Sequence, residues 1–100
     1  MDEDVVVEFT GFRDIDESSM AIVNKNVKHY VNKIAGHSKN AGPLHITLKP
    51  IHQREKGEKY ELHAKITVNG KFCVSEFVDR NLFVAIDTVL KKIMHEMEHP

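Results

Sequence analysis

The sequence predicts an α+β domain in the order β-α-β-β-β-α, a four-stranded sheet with two helices packed on one of its faces. Three observations carry this. Apolar residues recur at spacings of three and four from Met20 to Ile34 and again from Leu82 to Met97, the period of an amphipathic helix. They alternate at a period of two from Leu44 to Leu48 and from Tyr60 to Val68, the period of a half-buried strand. Between Val68 and Lys71 stands Asn69-Gly70, the strongest short hairpin signal a sequence offers. One hundred residues, 41% of them hydrophobic, suffice for a single modest core, so positions 1–100 are read as one domain.

The elements follow in order. "VVVEF", from Val5 to Phe9, is short, apolar and β-branched, which suits a strand, and Gly11 closes it. Asp16 is placed to cap the first helix, with Glu17 at the positive end of the helix dipole. Met20, Val23, Val27, Tyr30, Val31 and Ile34 form its inner stripe until Gly36 ends it, and the opposite face carries Lys25, Lys28, His29 and Asn32. After the loop "GHSKNAGP", Leu44, Ile46 and Leu48 alternate with His45, Thr47 and Lys49 in a strand that Pro50 weakens or ends. "HQREKGEK" is a charged turn with Gly57 near its tip. Tyr60, Leu62, Ala64, Ile66 and Val68 then alternate with Glu61, His63, Lys65 and Thr67. A third strand returns through "KFCVSEFV", whose faces stay open to two readings, because Phe72 and Val74 lie on one side and Cys73 and Phe77 on the other. Asn81 or Asp79 caps a last helix with the inner stripe Leu82, Phe83, Ile86, Val89, Leu90, Ile93 and Met97. A three-strand meander joined to one strand by a helical crossover puts both helices on one face. The open face then presents His45, Thr47, Lys49, His63 and Lys65.

Composition sets limits on function. No apolar run is long enough to cross a bilayer, and "MDEDVVVEF" opens with acid where a secretory signal has a positive segment, so the expected setting is cytoplasmic, with no membrane partner. A lone cysteine, Cys73, excludes an intrachain disulfide and a cysteine-based zinc framework, and is read as an inert strand residue. Net charge is −1, but protonating all seven histidines would carry it to +6. Distribution matters more than this total: acid gathers at Asp14, Asp16 and Glu17, whereas Lys25, Lys28, Lys33 and Lys39 follow with no acid among them.

One motif asks for catalysis. His95, Glu96 and His99 in "HEMEH" match H-E-x-x-H, which on a helix holds zinc between two imidazoles with the glutamate as general base. Such a site needs a third protein ligand, which the known classes take from beyond the second histidine, and this sequence ends one residue after His99. The expectation is therefore no catalytic residue, no metal, no cofactor and no small-molecule substrate. A weaker incidental site at His95 with His99, or at His45 with His63 across two strands, is the lesser reading. The same helix supports a better one. Thr88, Lys92, His95 and His99 recur at four, three and four, an outward stripe flanked by Lys91, and this is a phosphate-facing pattern.

The segments "VEFTGFRDIDESSMAIVNKNVKHYV" and "ITVNGKFCVSEFVDRNLFVAIDTVLKKIMHEM" resemble the ribosome hibernation promoting factors, also called ribosome-associated inhibitor or sigma modulation proteins. The resemblance runs from about Val5 to Met97. It is carried by "VNG", by the stretch from Asn81 to Asp87, and by the stretch from Lys92 to His95. It implies a β-α-β-β-β-α fold related in shape to double-stranded-RNA-binding domains. It also implies a protein that occupies the decoding channel of the small ribosomal subunit, blocks messenger and transfer RNA, and idles the ribosome under stress. Lys25 and Lys92 fall on basic positions of that family, and His95 stands where the family usually has arginine. Lacking the long forms' C-terminal extension, the chain resembles the short forms.

The sequence is thus read as a non-enzymatic, ribosome-associated translation inhibitor. Lys25, Lys28, Lys33, Arg80, Lys91, Lys92 and His95 are expected to hold ribosomal RNA phosphates of the small subunit. Two alternatives stand beside it: a general RNA-binding module of the same shape, and an interaction or weakly self-associating domain using the open sheet face with Phe72 and Val74.

Overall fold

In the computed structural model, which describes residues 5–49 and 59–99, the chain runs β1 (Val7–Thr10), α1 (Glu17–His37), β2 (Leu44–Lys49), β3 (Tyr60–Val68), β4 (Lys71–Asp79) and α2 (Leu82–Glu98). The expected element order is the observed one. The sheet order is β1-β2-β3-β4, with β1 parallel to β2 and the remaining neighbours antiparallel. The Pro50 strand stop and the charged turn around Gly57 lie outside the described residues, as does the acidic start of the chain.

Alternation in the strands becomes burial in the sheet. Leu44, Ile46, Leu62, Ile66 and Cys73 are fully buried on the helix side, against Val23 and Ile34 of α1 and Ile86, Val89, Leu90 and Ile93 of α2. Each fully buried aliphatic side chain contributes about 1.5–3 kcal/mol of transfer free energy, so this layer dominates stability. Burial also pushes the Cys73 thiol up from its ordinary value, away from the thiolate that reacts, as an inert strand residue requires.

Local chemistry sets the ends of the elements. Gly11 has φ +87°, and a Cβ there would overlap the carbonyl oxygen of Leu48, so only glycine lets β1 turn away this close to β2. Asp16 caps α1 by accepting from the Ser19 amide at 3.0 Å, and the Ser19 side chain, with that amide second, holds its carboxyl below the ordinary range. The helix runs one residue past Gly36. Ser38 ends it in extended conformation, with its amide donating to the Ile34 carbonyl, so the glycine sits in the last turn and no left-handed cap forms. At the hairpin, Asn69 (φ 52°) and Gly70 (φ 82°) both take the positive φ of the favoured two-residue turn. Asn69 also anchors the α1–β2 loop: its amide donates to the Asn40 carbonyl at 2.8 Å, and its side-chain oxygen accepts from Ser38 Oγ at 2.9 Å.

Asn81 is the N-cap of α2, its Oδ1 accepting from the amides of Phe83 and Val84, while Asp79 accepts from the amide of Asn81 itself. The inner stripe is shifted from the expected one: Ala85 and Met94 are buried, and Phe83 and Met97 are only half-buried. Ala85 and Met94 lie on opposite flanks of the helix: Met94 on the side that packs against α1, and Ala85 on the side laced to β4, so the buried face is wider than the expected stripe in both directions. Three hydrogen bonds lace α2 to β4: Ser75 Oγ to the Val89 carbonyl at 2.8 Å, Lys71 Nζ to that of Glu96 at 2.9 Å, and Lys92 Nζ to that of Glu76 at 3.1 Å. Lys92 thus donates from the helix to the main chain of β4, the outer strand of the sheet.

Candidate nucleic-acid interface

The two helices meet along a groove, and its polar floor is one linked pair. Tyr30 of α1 donates its hydroxyl to Asp87 Oδ1 of α2 at 2.8 Å, and Lys91 approaches Asp87 Oδ2 at 3.2 Å. Burial, together with the hydrogen bond to a carboxylate, pushes the Tyr30 phenol well above its usual range. Burial acts to raise Asp87 as well, but the hydrogen bonds it receives from Tyr30 and Lys91 outweigh that, and its carboxyl is held below the ordinary value. Lys33 lies across the same tyrosine, with Nζ 5.6 Å from the ring centroid. The groove is bordered by Lys33, His37, Lys91 and His95, with Glu98 paired to His37 at 3.3 Å.

Of the seven residues expected to hold phosphates, Lys91 and His95 lie on the outer side of α2, with Lys33 flanking them across the groove to α1 and Lys92 flanking them on the side toward the sheet. The others stand apart. Lys25 is exposed on the side of α1 opposite the core, and Lys28 borders a different groove, against Val5, Val7 and Phe9 of the β1 side. Arg80 lies before the start of α2, on the order of 15 Å along the helix axis from Lys91. The helices are side by side, as the expected joint basic surface requires, but the lysines of α1 point in three directions. Two of the clustered lysines are already engaged: Lys91 with Asp87, and Lys92 with the Glu76 carbonyl and the Phe77 ring, 5.5 Å from its centroid.

A broader hollow, which the sequence reading did not join to the helices, extends from Lys91, Lys92 and His95 onto the open face of the sheet at His45, Thr47, Lys49, His63 and Lys65. Alternation assigns those side chains to the open face, but only the three-dimensional form of the sheet brings that face round to α2. The imidazoles here are not paired with each other. His45 lies opposite Lys65, and His63 opposite Thr47 on one side and Glu76 on the other. His45 contacts Glu8 at 3.0 Å, and His63 contacts Glu61 at 2.7 Å and Glu76 at 3.3 Å. Where the lesser reading set His45 and His63 together as metal ligands, each imidazole instead contacts carboxylates.

The "HEMEH" motif occupies the C-terminal end of α2. His99 is the C-cap, outside helical geometry at φ −127° and ψ 80°, and its ring lies 4.2 Å from that of His95. Glu96 is half-buried and gives its carbonyl to Lys71. Among the described residues no group of three potential ligands converges on a metal position, and no helix is long and apolar enough to cross a membrane.

No protein-family profile and no curated protein sequence matches the chain. Solved structures do. A ribosomal subunit interface protein from Coxiella burnetii superposes with a TM-score of 0.68 at 15% identity, over 94% of this chain and 94% of its own. The N-terminal domain of Protein Y from Thermus thermophilus superposes with a TM-score of 0.66 at 13% identity, over 96% of this chain and 97% of its own. Both share with this chain the β-α-β-β-β-α fold that the sequence resemblance implied.

Proposed function

We propose that this protein is a ribosome-associated translation inhibitor that binds the small ribosomal subunit and works by occupancy, its compact domain excluding messenger and transfer RNA without chemistry. The observation that supports this most is the agreement in fold, over nearly the whole of both chains, with a ribosomal subunit interface protein. The arrangement of charge is consistent with it. At a net charge of −1 the chain as a whole has no attraction for RNA, so binding must rest on local clusters. Lys33, Lys91, Lys92 and His95 supply one at the helices, with Lys25, Lys28 and Arg80 as outlying contacts. Lys91 would exchange Asp87 for a phosphate at modest cost, because its side chain is 69% exposed and such an ion pair is worth about 0–1 kcal/mol.

Gradient fractionation of a lysate tests the reading. The protein should travel with small subunits at low salt and leave them as salt rises, log affinity falling by roughly 0.7–0.9 per phosphate contact for each tenfold rise in salt. A protein that stays at the top of the gradient at every salt concentration would refute it. One that binds free RNA fragments but no subunits would be the general RNA-binding module instead.

A further inference from the structure

We infer that the open face of the sheet is a second RNA surface, and that it takes a single strand: phosphates on Lys49, Lys65 and Lys92, and a base on Phe72. The claim extends the ribosome reading, which uses Lys91, Lys92 and His95 on the helix side of this hollow, onto the sheet itself, and rests on it for the identity of the ligand as RNA. The hollow between this face and α2 is lined by Lys49, Lys65, Lys91 and Lys92 against two carboxylates, Glu76 and Glu96. The lining therefore holds two more lysines than carboxylates, although the chain carries −1 and Glu8 and Glu61 lie on the same face at its margin. Glu61 and Glu76 both contact His63, at 2.7 Å and 3.3 Å, and Glu8, nearby on the same face, contacts His45 at 3.0 Å. Among the described residues neither Lys49 nor Lys65 enters an ion pair. Lys49 lies opposite Glu61 and Lys65 four residues further along β3, so the two lysines are rooted about 13 Å apart along the sheet at the usual rise.

The aromatic group lies further along the same face, opposite Thr67 and diagonal to Lys65. Phe72 is 61% exposed, on the same face as Val74, which is 49% exposed and directly opposite Lys65. An aromatic ring held clear of the core beside a cationic track is the combination that binds single strands, because every base has a face to stack and the phosphates need only charge. A duplex would leave the ring without a base to stack on. An acidic protein partner would satisfy the lysines but gives Phe72 no comparable role.

The test measures binding of a labelled oligouridylate of about eight nucleotides, within the span of one such site, beside co-sedimentation with purified small subunits. It uses wild type, Lys49→Glu/Lys65→Glu, Phe72→Ala and the helix variant Lys25→Glu/Lys33→Glu, whose two lysines lie outside the hollow, each first checked for an unchanged melting curve. The sheet variants should weaken oligouridylate binding about tenfold or more, with Phe72→Ala in the same range from lost stacking, while the helix variant stays within about threefold. Equal loss in the helix variant with indifferent sheet variants would overturn this inference and leave the ribosome reading standing. Oligouridylate binding through the sheet without co-sedimentation would do the reverse. Concentration-dependent dimerisation abolished by Phe72→Ala, with no RNA binding, would replace the inference by a protein interface.

Discussion

Replacing Tyr30 by phenylalanine removes a single hydrogen bond between the helices and nothing of the ring that packs beneath Lys33. Tyr30 is buried at 5% exposure, and its hydroxyl donates to Asp87 at 2.8 Å. A hydrogen bond to a charged acceptor is worth about 1.5–3 kcal/mol, but the Asp87 side chain is 37% exposed and keeps Lys91 as a partner, so solvent and the lysine replace part of the loss. The expected cost is therefore about 1 kcal/mol at pH 7, a fall in Tm of roughly 4–8 °C for a domain of this size. The pH dependence is more diagnostic than the size. The folded-state pKa of Asp87 is depressed, so its contribution is present above the unfolded value, about 3.9, and is lost as pH falls through the lower folded value. The gap between wild type and Tyr30→Phe should thus be full at pH 7 and shrink below about pH 4. At the other end the phenol is raised in the folded state, so wild type loses stability above about pH 10, where the unfolded tyrosine ionises. The variant should lose less there. Urea denaturation at pH 3, 7 and 10.5 reads all three. A gap that is constant with pH would mean that Tyr30 acts by packing alone and that the helix pair is not tied through Asp87.

Three further outcomes are expected. Gly11→Ala should destabilise more than Gly70→Ala, because both add about 1–2 kcal/mol of left-handed strain but only at Gly11 does the new methyl meet the backbone, at the Leu48 carbonyl, whereas nothing lies within 4 Å of a Cβ at Gly70; equal thermal shifts would contradict the contact. A chelator should leave the melting curve unchanged, since the buried aliphatic layer and not a metal holds the fold; unfolding on chelation would restore His95, Glu96 and His99 as a ligand set. Affinity for small subunits should rise as pH falls from about 7.5 to about 5.5, the interval in which histidine side chains as a class gain charge, and His95→Gln should flatten that rise by removing an imidazole beside Lys91 and Lys92; an identical slope in the variant would take His95 out of the interface.

Much of the fold was legible because it rests on periodicity and on two turn residues. Once Asn69-Gly70 is a two-residue turn, every pair of the β3–β4 hairpin follows, including His63 opposite Glu76 and Lys65 opposite Val74. The same turn resolves the ambiguous third strand, since the pairing of Ile66 with Cys73 puts Cys73 on the core side and leaves Phe72 and Val74 outside. Where the reading slipped, the cause was packing. The expected stripe was too narrow on both flanks of α2: contact with α1 buries Met94, and the approach to β4 buries Ala85 on the opposite side. Gly36 looks like a helix stop, but a glycine ends a helix only where the next turn needs positive φ, and Ser38 leaves α1 in extended conformation instead.

The candidate site was less legible. That Lys91 and Lys92 are exposed follows from their place on the stripe. That one is held by Asp87 and the other by the Glu76 carbonyl and Phe77 depends on which strand α2 lies along, a fact separated from it by 16 residues of chain in the second case. The scattering of Lys25, Lys28 and Lys33 has a simpler origin. Their spacings of three and five turn them by about 60° and 140° around α1, and only the position of β1 on one side and α2 on the other makes those angles matter.

The central claim, that the protein keeps RNA ligands off the small subunit by occupying their place, is tested most directly by competition on purified small subunits. Labelled protein is bound, messenger and transfer RNA are then added in increasing amounts, and the fraction sedimenting with the subunit is measured. The account predicts mutual displacement: RNA ligands release the protein, excess protein releases the RNA ligands, and Lys33→Glu/Lys91→Glu competes less well than wild type. Simultaneous binding of the protein and both RNA ligands to one subunit would contradict it, whatever the affinity of each.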